Sequence, residues 1–465
     1  MKLYNTLSRK IEEVKPLKEG EISLYTCGLT VYSQPHIGNW VAYIYWDALQ
    51  RALELEGYKV KRVQNITDVG HLTSDEDAGE DKMLKSALTE GVTAWEVADK
   101  YIDVANHEAY DLLGLLKPEY LPRATDYIEQ QIEFVKQLEE KDFTYTIADG
   151  VYFDTSKLDD YGKLAKLDLK GLRFGARVAD TGKKNPTDFA LWKFSPKDEK
   201  RDMEWDSPWG KGFPGWHLEC SAMAREILGD QIDIHTGGID HIPVHHTNEI
   251  AQTEALTGEK FANIWVHANH IKVNGTKMSK SLGNIYTLKD ITDKGFDIHA
   301  FKLMILSKHY RTEGNFTWEN LEAAQNSLSS IHAAADMKWQ PNIASDTNVA
   351  VSHNLDNFLK ALQDDLQTPT AIKELRAIML AYTEDGVQEV VKQDFQLILE
   401  KFDNLLGLEL ADRPDINDEQ KELIQKRELA KQNKDFAIAD SIRHQLKQQS
   451  IGLEDRSNGT RWYRI

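Results

Sequence analysis

The sequence predicts an α/β protein in which a Rossmann-like parallel sheet is split by an insertion and followed by a helical bundle and a small carboxyl-terminal domain. Residues 21–27 alternate polar and apolar side chains, residues 39–56 carry apolar groups at helical spacing, and residues 58–67 are strand-like again. This order predicts a β-α-β unit with its ligand crevice at the carboxyl ends of the strands. Beyond residue 320 the apolar pattern is almost wholly helical, which indicates a bundle.

Length and composition predict a multidomain protein outside the membrane. A chain of 465 residues is too long for one ordinary domain. Its mean hydropathy is −0.52, and its apolar runs stay short of the ~20 residues of a membrane span. The first eight residues are followed by charge rather than by an apolar core, so we expect a cytoplasmic protein. The expected division is a first half of the Rossmann-like domain (1–123), an insertion (124–202), the second half (203–262), a region with a basic loop (263–313), a helical bundle (314–410) and a carboxyl-terminal domain (411–465).

The loop Pro35-His36-Ile37-Gly38-Asn39 lies where the first predicted strand leads into a helix. Free backbone N–H groups and the helix dipole at such a position hold phosphate oxygens. Gly38 leaves room for a flat base, and the amide of Asn39 can donate to phosphate or ribose oxygens. These features predict a nucleotide-binding loop.

A second motif, Lys277-Met278-Ser279-Lys280-Ser281, carries two lysines three residues apart among small or flexible residues. Alone it would be weak, because a solvated basic turn looks the same. Downstream of the first motif it predicts a mobile clamp on a leaving pyrophosphate. The residues that would stabilise developing phosphate charge are His36, Asn39, Lys277 and Lys280.

The two cysteines, Cys27 and Cys220, have three interpretations: a disulfide, buried structural thiols or metal ligands. A reducing compartment argues against the disulfide. His245 and Glu249 stand at i and i+4 on a predicted helix at about 244–256, so they share one face. Two thiolates, an imidazole and a carboxylate form a set that zinc accepts. The choice of imidazole stays open, because any of four neighbours could replace His245: His217, His235, His241 and His246.

Together these segments resemble the cysteinyl-tRNA synthetase family of class I aminoacyl-tRNA synthetases. The two motifs match the HIGH and KMSKS signatures of that class, with Asn39 at the last HIGH position. The resemblance spans essentially the whole chain. Its further carriers are Tyr25–Tyr32, Asn65–Asp68, Pro214–Ala222, Ile232–Asp240, His245–Glu249 and Gly452–Trp462.

The resemblance implies a ligase that activates L-cysteine with ATP and transfers it to the 3′ end of tRNA(Cys). It implies one Zn²⁺ per subunit, held by Cys27, Cys220, His245 and Glu249, and Mg²⁺ accompanying ATP. The Rossmann-like halves would form the catalytic domain, with 124–202 as a connective insertion, 263–313 as a stem-contact region and 411–465 as an anticodon-binding domain. By the same resemblance the protein would be a monomer.

The resemblance also assigns individual contacts. ATP would be bound by His36, Gly38, Asn39, Asp240 and Lys280. Cysteine and its adenylate would be contacted by Thr67, Trp216, His235 and Asp240, although Trp216 also fits an ordinary core position. Arg461, Trp462 and Arg464 would contact tRNA, and a packed Trp462 is equally compatible with the pattern.

Two features complicate the resemblance. The net charge of −19 is unusual for a tRNA partner, but residues 421–465 contain ten Lys or Arg against six Asp or Glu, a local charge of +4. Thr247 replaces a glutamate that is commoner in the family pattern, which predicts altered surroundings for the metal rather than its loss.

Three other functions share some of these features. A ligase joining cysteine to an amino sugar would lack the segment Gly452–Trp462, and a non-catalytic paralogue would have lost His36, Lys280 or a metal ligand. A zinc hydrolase would give no role to the basic loop.

Overall fold

The computed structural model describes residues 1–70, 81–167, 182–196, 201–340, 348–385, 392–456 and 459–465. The chain divides into two compact units. The first comprises Met1–Asp290 with Tyr310–Asn315, and the second comprises Ile291–His309 with Phe316–Ile465. The finer division into six segments remains a prediction.

The described strands follow one another in chain order. They are β1 (Lys2–Asn5), β2 (Lys10–Glu13), β3 (Glu21–Thr26), β4 (Lys59–Gln64), β5 (Thr144–Ile147), β6 (Gly150–Phe153), β7 (Phe189–Phe194), β8 (Gly212–Pro214), β9 (Ile232–Gly238), β10 (Ala262–Ala268), β11 (Ile271–Val273), β12 (Gly314–Phe316), β13 (Ile451–Arg456) and β14 (Gly459–Arg464).

The described helices are more numerous in the second half of the chain. They are α1 (Ile37–Leu55), α2 (Lys82–Glu90), α3 (Ala94–Asn106), α4 (Ile128–Glu140), α5 (Trp216–Leu228), α6 (His245–Thr257), α7 (Leu288–Asp293), α8 (Ile298–Leu306), α9 (Trp318–Ala335), α10 (Asn348–Gln363), α11 (Thr368–Asp385), α12 (Lys392–Leu406), α13 (Asp418–Gln432) and α14 (Phe436–Gln448). None of them combines the length and apolar character needed to cross a bilayer.

The first unit is built on a four-stranded parallel sheet in the order β10-β9-β3-β4. Tyr25 of β3 lies opposite His235 of β9 on one side and Val63 of β4 on the other. Strands buried on both faces suit such a sheet, and six of the seven residues of β9 are buried. The predicted Rossmann-like parallel sheet is confirmed.

The loop before α1 is shaped by the helix that it begins. His36 adopts an extended backbone at the N-cap, and its backbone N–H donates to Asn39 Oδ1 at 2.9 Å. This hydrogen bond is the returning half of a capping box, with an asparagine amide at the third helical position. The turn therefore places His36 at the amino end of the helix, as the sequence predicted.

The predicted insertion contains α4 and an antiparallel sheet in the order β5-β6-β7-β8. This sheet extends past the predicted boundary at residue 202, because its fourth strand is β8, in which Pro214 pairs with Trp192 of β7. Residues on α4, β6 and β7 share a hydrophobic core with residues of α5 and α6. The insertion thus packs directly on the two helices that carry Cys220 and His245.

The second unit contains helices α8 to α14 and the antiparallel hairpin β13–β14. The predicted helices at about 418–432 and 435–449 correspond to α13 and α14. The proposed turn at Ser457-Asn458-Gly459 lies partly outside the described residues, but the two strands flanking it are paired from Ile451 with Arg464 to Arg456 with Gly459. The helical carboxyl-terminal half predicted from the sequence is confirmed.

Asp233, at the start of β9, holds two neighbouring segments through a buried carboxylate. Its Oδ1 accepts from the Leu17 backbone N–H at 2.6 Å, and its Oδ2 accepts from the Ser23 backbone N–H at 2.8 Å and the Ser23 hydroxyl at 2.7 Å. The carboxylate therefore ties β9 to β3 and to the chain before it.

Replacing Asp233 by Ala should destabilise the first unit. The change leaves donors without their acceptor, which costs about 2–4 kcal/mol for several bonds lost together. Thermal denaturation should show a melting temperature several degrees lower. Asp159→Ala, at an exposed position, is the control and should melt like the unmodified chain. Equal melting temperatures for the two variants would contradict the role of Asp233.

Candidate functional site

A cavity of about 640 Å³ opens at the carboxyl ends of the parallel strands. It is lined by residues that follow β3 and β4 and by residues at the ends of β9 and β10. A volume of this size suits a nucleotide or a comparable ligand. Its lining includes His36, Gly38, Asn39, Lys277 and Met278, so both sequence motifs lie at one site.

Two contacts bring the motifs together. The Ile37 backbone N–H donates to the Tyr286 carbonyl at 2.8 Å, which joins the start of α1 to the chain just after the basic loop. A Cβ added to Gly38 would lie 2.2 Å from Met278 Cε, so the methionine tip occupies the space that a side chain would need. Burial lowers the pKa of His36, which favours a neutral imidazole at this helix start.

The basic loop is shaped by the side chain of Asn284. Its Oδ1 accepts from the Ser279 backbone N–H at 2.8 Å, while its Nδ2 donates to Thr276 Oγ1 and to the Lys277 carbonyl, both at 3.2 Å. Lys277 is exposed beside the cavity. The side chain of Lys280 lies outside the described part of the structure.

A cluster of metal-ligating side chains lies at the floor of the cavity. Ligand atoms of Cys27, Cys220, His245 and Glu249 all lie within 4.8 Å of one another, and all four residues are buried. Cys27 follows β3, Cys220 is on α5, and the other two occupy the first turns of α6. His245 Nε2 lies 3.1 Å from Glu249 Oε1, and neither thiol is in a disulfide.

A second grouping uses different imidazoles, so the ambiguity in the sequence persists in the geometry. Cys27, His235, His246 and Glu249 also lie within 4.8 Å of one another. Cys27 Sγ is 3.2 Å from His246 Nε2, and His235 Nε2 is 2.9 Å from Glu249 Oε2.

Access to the cavity distinguishes the two groupings. Cys27, Cys220 and His245 line it, whereas His235 and His246 are fully buried behind them. The first grouping could therefore present a bound metal to a ligand in the cavity. The second lies farther from that space and supports the first.

The electrostatics of the cluster favour a bound cation. Burial, with the neighbouring Cys220 and Glu249, raises the pKa of the Cys27 thiol well above its usual value. For Cys220, the hydrogen bond with Cys27 lowers the pKa of the thiol, but burial and Glu249 raise it more, so that this pKa is also raised. Burial also lowers the pKa of His246, leaving that imidazole neutral. A buried carboxylate beside two thiols needs compensating positive charge, which a divalent metal would supply.

Further imidazoles orient the ligands. His217 Nδ1 lies 2.9 Å from His245 Nδ1. Behind the cluster, His246 Nδ1 lies 2.8 Å from His267 Nε2, and His267 Nδ1 lies 2.8 Å from Thr6 Oγ1. Such partners commonly fix ring orientation at metal sites. His267 and Thr6 were not among the residues predicted from the sequence, because His267 lies near the end of β10, a strand that the sequence analysis did not predict.

The predicted contacts for the amino acid fall into two groups. Thr67, Trp216 and Asp240 line the cavity, and the Trp216 ring lies 4.8 Å from the ring of His245. His235 does not line it and instead stacks on Trp265 at 4.3 Å. Thr67 Oγ1 accepts from Asn65 Nδ2 at 3.0 Å, so Asn65 orients it.

The predicted tRNA contacts lie in the second unit and are engaged within the protein. Trp462 is 7% exposed and packs among Ile442, Leu446 and Leu453. Arg464 Nη1 lies 2.6 Å from Asp336 Oδ2, and Arg461 is buried. Arg461 and Trp462 are therefore packed within the protein, whereas the side chain of Arg464 is bound by Asp336 but remains 30% exposed.

Known proteins match this chain in two ways, through a family model of a catalytic domain and through relatives that are similar over the full length. Residues 13–326 match the family model "tRNA synthetases class I (C) catalytic domain". A cysteine--tRNA ligase of Treponema denticola is 40% identical, with all of both chains covered. Cysteine--tRNA ligase 1 of Burkholderia lata is 43% identical, covering 99% of this chain and 96% of that protein.

Solved structures share the fold at much lower identity. Methionyl-tRNA synthetase of Mycobacterium tuberculosis, in complex with methionyl-adenylate, matches with a TM-score of 0.57 at 14% identity over 84% of this chain and 88% of that one. The LeuRS of Agrobacterium radiobacter K84 (agnB2), in a ternary complex with tRNA and LeuAMS, matches with a TM-score of 0.63 at 12% identity over 88% of each chain.

Replacing Asn284 by Ala should loosen the basic loop. Losing three partly exposed hydrogen bonds costs about 1–2 kcal/mol, which corresponds to roughly a 5- to 30-fold larger open population. Limited trypsin digestion should cut after Lys277 faster by a similar factor. Asn326→Ala, at an exposed position of α9, is the control. An unchanged cleavage rate in Asn284→Ala would show that the loop is held by other contacts.

Proposed function

This chain belongs to the cysteine--tRNA ligases of the class I tRNA synthetases, and we propose that it selects L-cysteine through a zinc ion held by Cys27, Cys220, His245 and Glu249. Its reaction is the ATP-dependent joining of L-cysteine to tRNA(Cys). The observation that carries the zinc proposal is the buried donor set on the floor of the cavity that both nucleotide motifs line.

The donor set fits zinc better than the hard divalent cations. Two sulfur ligands favour zinc over magnesium or calcium, which prefer oxygen. The burial of Glu249 beside two thiols and the neutral imidazole of His246 supports a bound cation there. When bound, zinc would accept the substrate thiolate as a further ligand, which the harder hydroxyl of serine matches poorly.

The residues around the metal site would also contribute to the selection of cysteine over serine. A cavity that selected by size alone would separate the two amino acids by only about 10- to 200-fold. Cys220 and His245 face the cavity from α5 and α6, and Trp216 stands beside His245 as a wall for a small side chain. Thr67, held by Asn65, and Asp240 both line the cavity, which supports their proposed contacts with the amino group and the adenylate.

In the first step, the cysteine carboxylate attacks the α-phosphate of ATP, a P–O bond forms, and pyrophosphate leaves. His36, Asn39 and the amino end of α1 would stabilise the phosphate charge. Lys277 and Lys280 would hold the leaving pyrophosphate, and Mg²⁺ would accompany ATP. Positioning and electrostatics are sufficient here, and no side-chain nucleophile is required.

In the second step, a ribose hydroxyl at the tRNA 3′ end attacks the carbonyl carbon of the adenylate. The new ester forms as the bond to AMP breaks, and the hydroxyl proton leaves with the phosphate or with water. Asp240 is exposed at the cavity rim, where the incoming ribose could reach it. A monomeric state and a cytoplasmic location are further predictions from the family resemblance.

The decisive test of the function is ATP–pyrophosphate exchange that depends on cysteine, followed by charging of total tRNA. We expect exchange with cysteine, little with serine, and attachment of cysteine to tRNA. Exchange without charging would favour the ligase that joins cysteine to an amino sugar. The absence of both activities would favour a non-catalytic paralogue.

Replacing Cys220 by Ser should test the metal proposal separately. Bound zinc should fall from about one equivalent per chain to near zero, because the set loses a thiolate ligand. The kcat/KM for cysteine in exchange should fall about 100-fold or more, since even changes around a metal's ligands cost 10- to 100-fold. Metal analysis of the purified protein measures the first effect. Glu226→Gln, at an exposed position of α5, is the control, and full zinc content in Cys220→Ser would refute the ligand assignment.

A further inference from the structure

In the second unit, a single buried carboxylate joins three separate parts of the chain. Asp336 is completely buried in the 3₁₀ turn Asp336–Trp339 that follows α9. Arg413, beyond α12, contacts its two oxygens at 2.9 and 3.1 Å, and Arg464 of β14 lies 2.6 Å from Oδ2. Bidentate guanidinium contacts of this kind fix geometry as well as charge.

The neighbouring residue Gln340 holds the same strand by its backbone. Gln340 Nε2 donates to the Trp462 carbonyl at 3.0 Å, and the Trp462 backbone N–H donates to Gln340 Oε1 at 2.9 Å. In an antiparallel pair, a residue whose N–H and C=O both bond elsewhere turns them away from its partner strand. The Gln340 amide therefore acts as a short strand partner on the edge of β14 that faces away from β13.

These contacts make a stiff connection rather than a flexible one. A buried carboxylate that loses its partners is strongly destabilised, so Asp336 resists separation from both arginines. The Trp339 indole donates to the Arg413 carbonyl at 3.0 Å, which adds a further link at the same place. The end of α9 and the last strand are thus held in one orientation.

The segment held in this way is locally basic, although the chain as a whole is acidic. Residues 421–465 carry ten Lys or Arg against six Asp or Glu, while the whole chain has a net charge of −19. For a protein that must bind tRNA, phosphate contacts are expected where positive charge is concentrated. Tyr463, between two inward-facing neighbours, is 39% exposed and offers a ring for base stacking.

We propose that Asp336 and Gln340 are positioning residues for tRNA. They fix the basic segment of α13, α14 and the β13–β14 hairpin on the end of α9, so that it meets the RNA in a preset orientation. Trp462 and Arg464 then serve tRNA binding indirectly, because they are the residues of β14 that Gln340 and Asp336 hold. The inference rests on the proposed function, because it requires that tRNA is the substrate.

The proposal separates two activities. Residues that line the cavity lie in the first unit, so adenylate formation does not use the Asp336 connection. Charging of tRNA does use the basic segment. A loosened connection should therefore raise the KM for tRNA and leave exchange intact.

Gln340→Glu is the most direct test. The change keeps the size of the side chain but replaces the donating NH₂ by an oxygen that repels the Trp462 carbonyl. We expect the KM for tRNA in charging to rise about tenfold, because one hydrogen bond is lost and two acceptor oxygens then face each other. The kcat for charging and the rate of cysteine-dependent exchange should stay within about twofold of those of the unmodified enzyme. Asn326→Asp makes the same amide-to-acid change at an exposed position of α9 and should leave the KM unchanged.

Asp336→Asn gives a second variant, in which the two guanidinium contacts lose their charged acceptor. A raised KM for tRNA with normal exchange in both variants would support the proposal, and Gln340→Glu decides alone if Asp336→Asn does not fold. An unchanged KM, even with a lower melting temperature, would overturn it by showing a purely structural role. A parallel loss of exchange would also overturn it. If the unmodified chain charged no tRNA, the proposed function itself would be contradicted, and this premise with it.

Discussion

The site depends on the buried carboxylate of Glu249 and on the charge that must balance it. One of its oxygens lies 3.1 Å from His245 Nε2 and the other 2.9 Å from His235 Nε2, so the carboxylate is held between two imidazoles on different elements. Two thiols share its surroundings. Removing such a group from water is costly unless positive charge accompanies it. The arrangement is therefore understandable as a site completed by a cation.

The parallel sheet explains how these side chains meet although they are far apart in sequence. Cys27 follows β3, His235 lies within β9, and α5 and α6 flank the same strands. The carboxyl ends of parallel strands gather their following loops at one edge, where the start of α1 also lies. One edge of one sheet thus holds the nucleotide loop, the thiol cluster and the cavity between them.

Much of this was predictable because local periodicity and short motifs carry it. The β-α-β unit is evident from a change of apolar period, and the i, i+4 spacing places His245 and Glu249 on one face of α6. The choice among the histidines was not predictable, since His241 and His245 both line the cavity and, of these two, His245 is the one grouped with Cys27, Cys220 and Glu249. The end of the chain was ambiguous for another reason. Trp462 and Tyr463 are both aromatic, so strand alternation alone could not tell which one faces the core, and the structure turns Trp462 inward.

The amide of Gln340 has a consequence for the chain in crowded solution. A strand at the margin of a small sheet offers unsatisfied N–H and C=O groups to which any other extended chain can add. At Trp462 those groups are already occupied, by the protein's own side chain. The free edge of β14 is thereby blocked at Trp462, so another extended chain cannot pair with the hairpin at that residue.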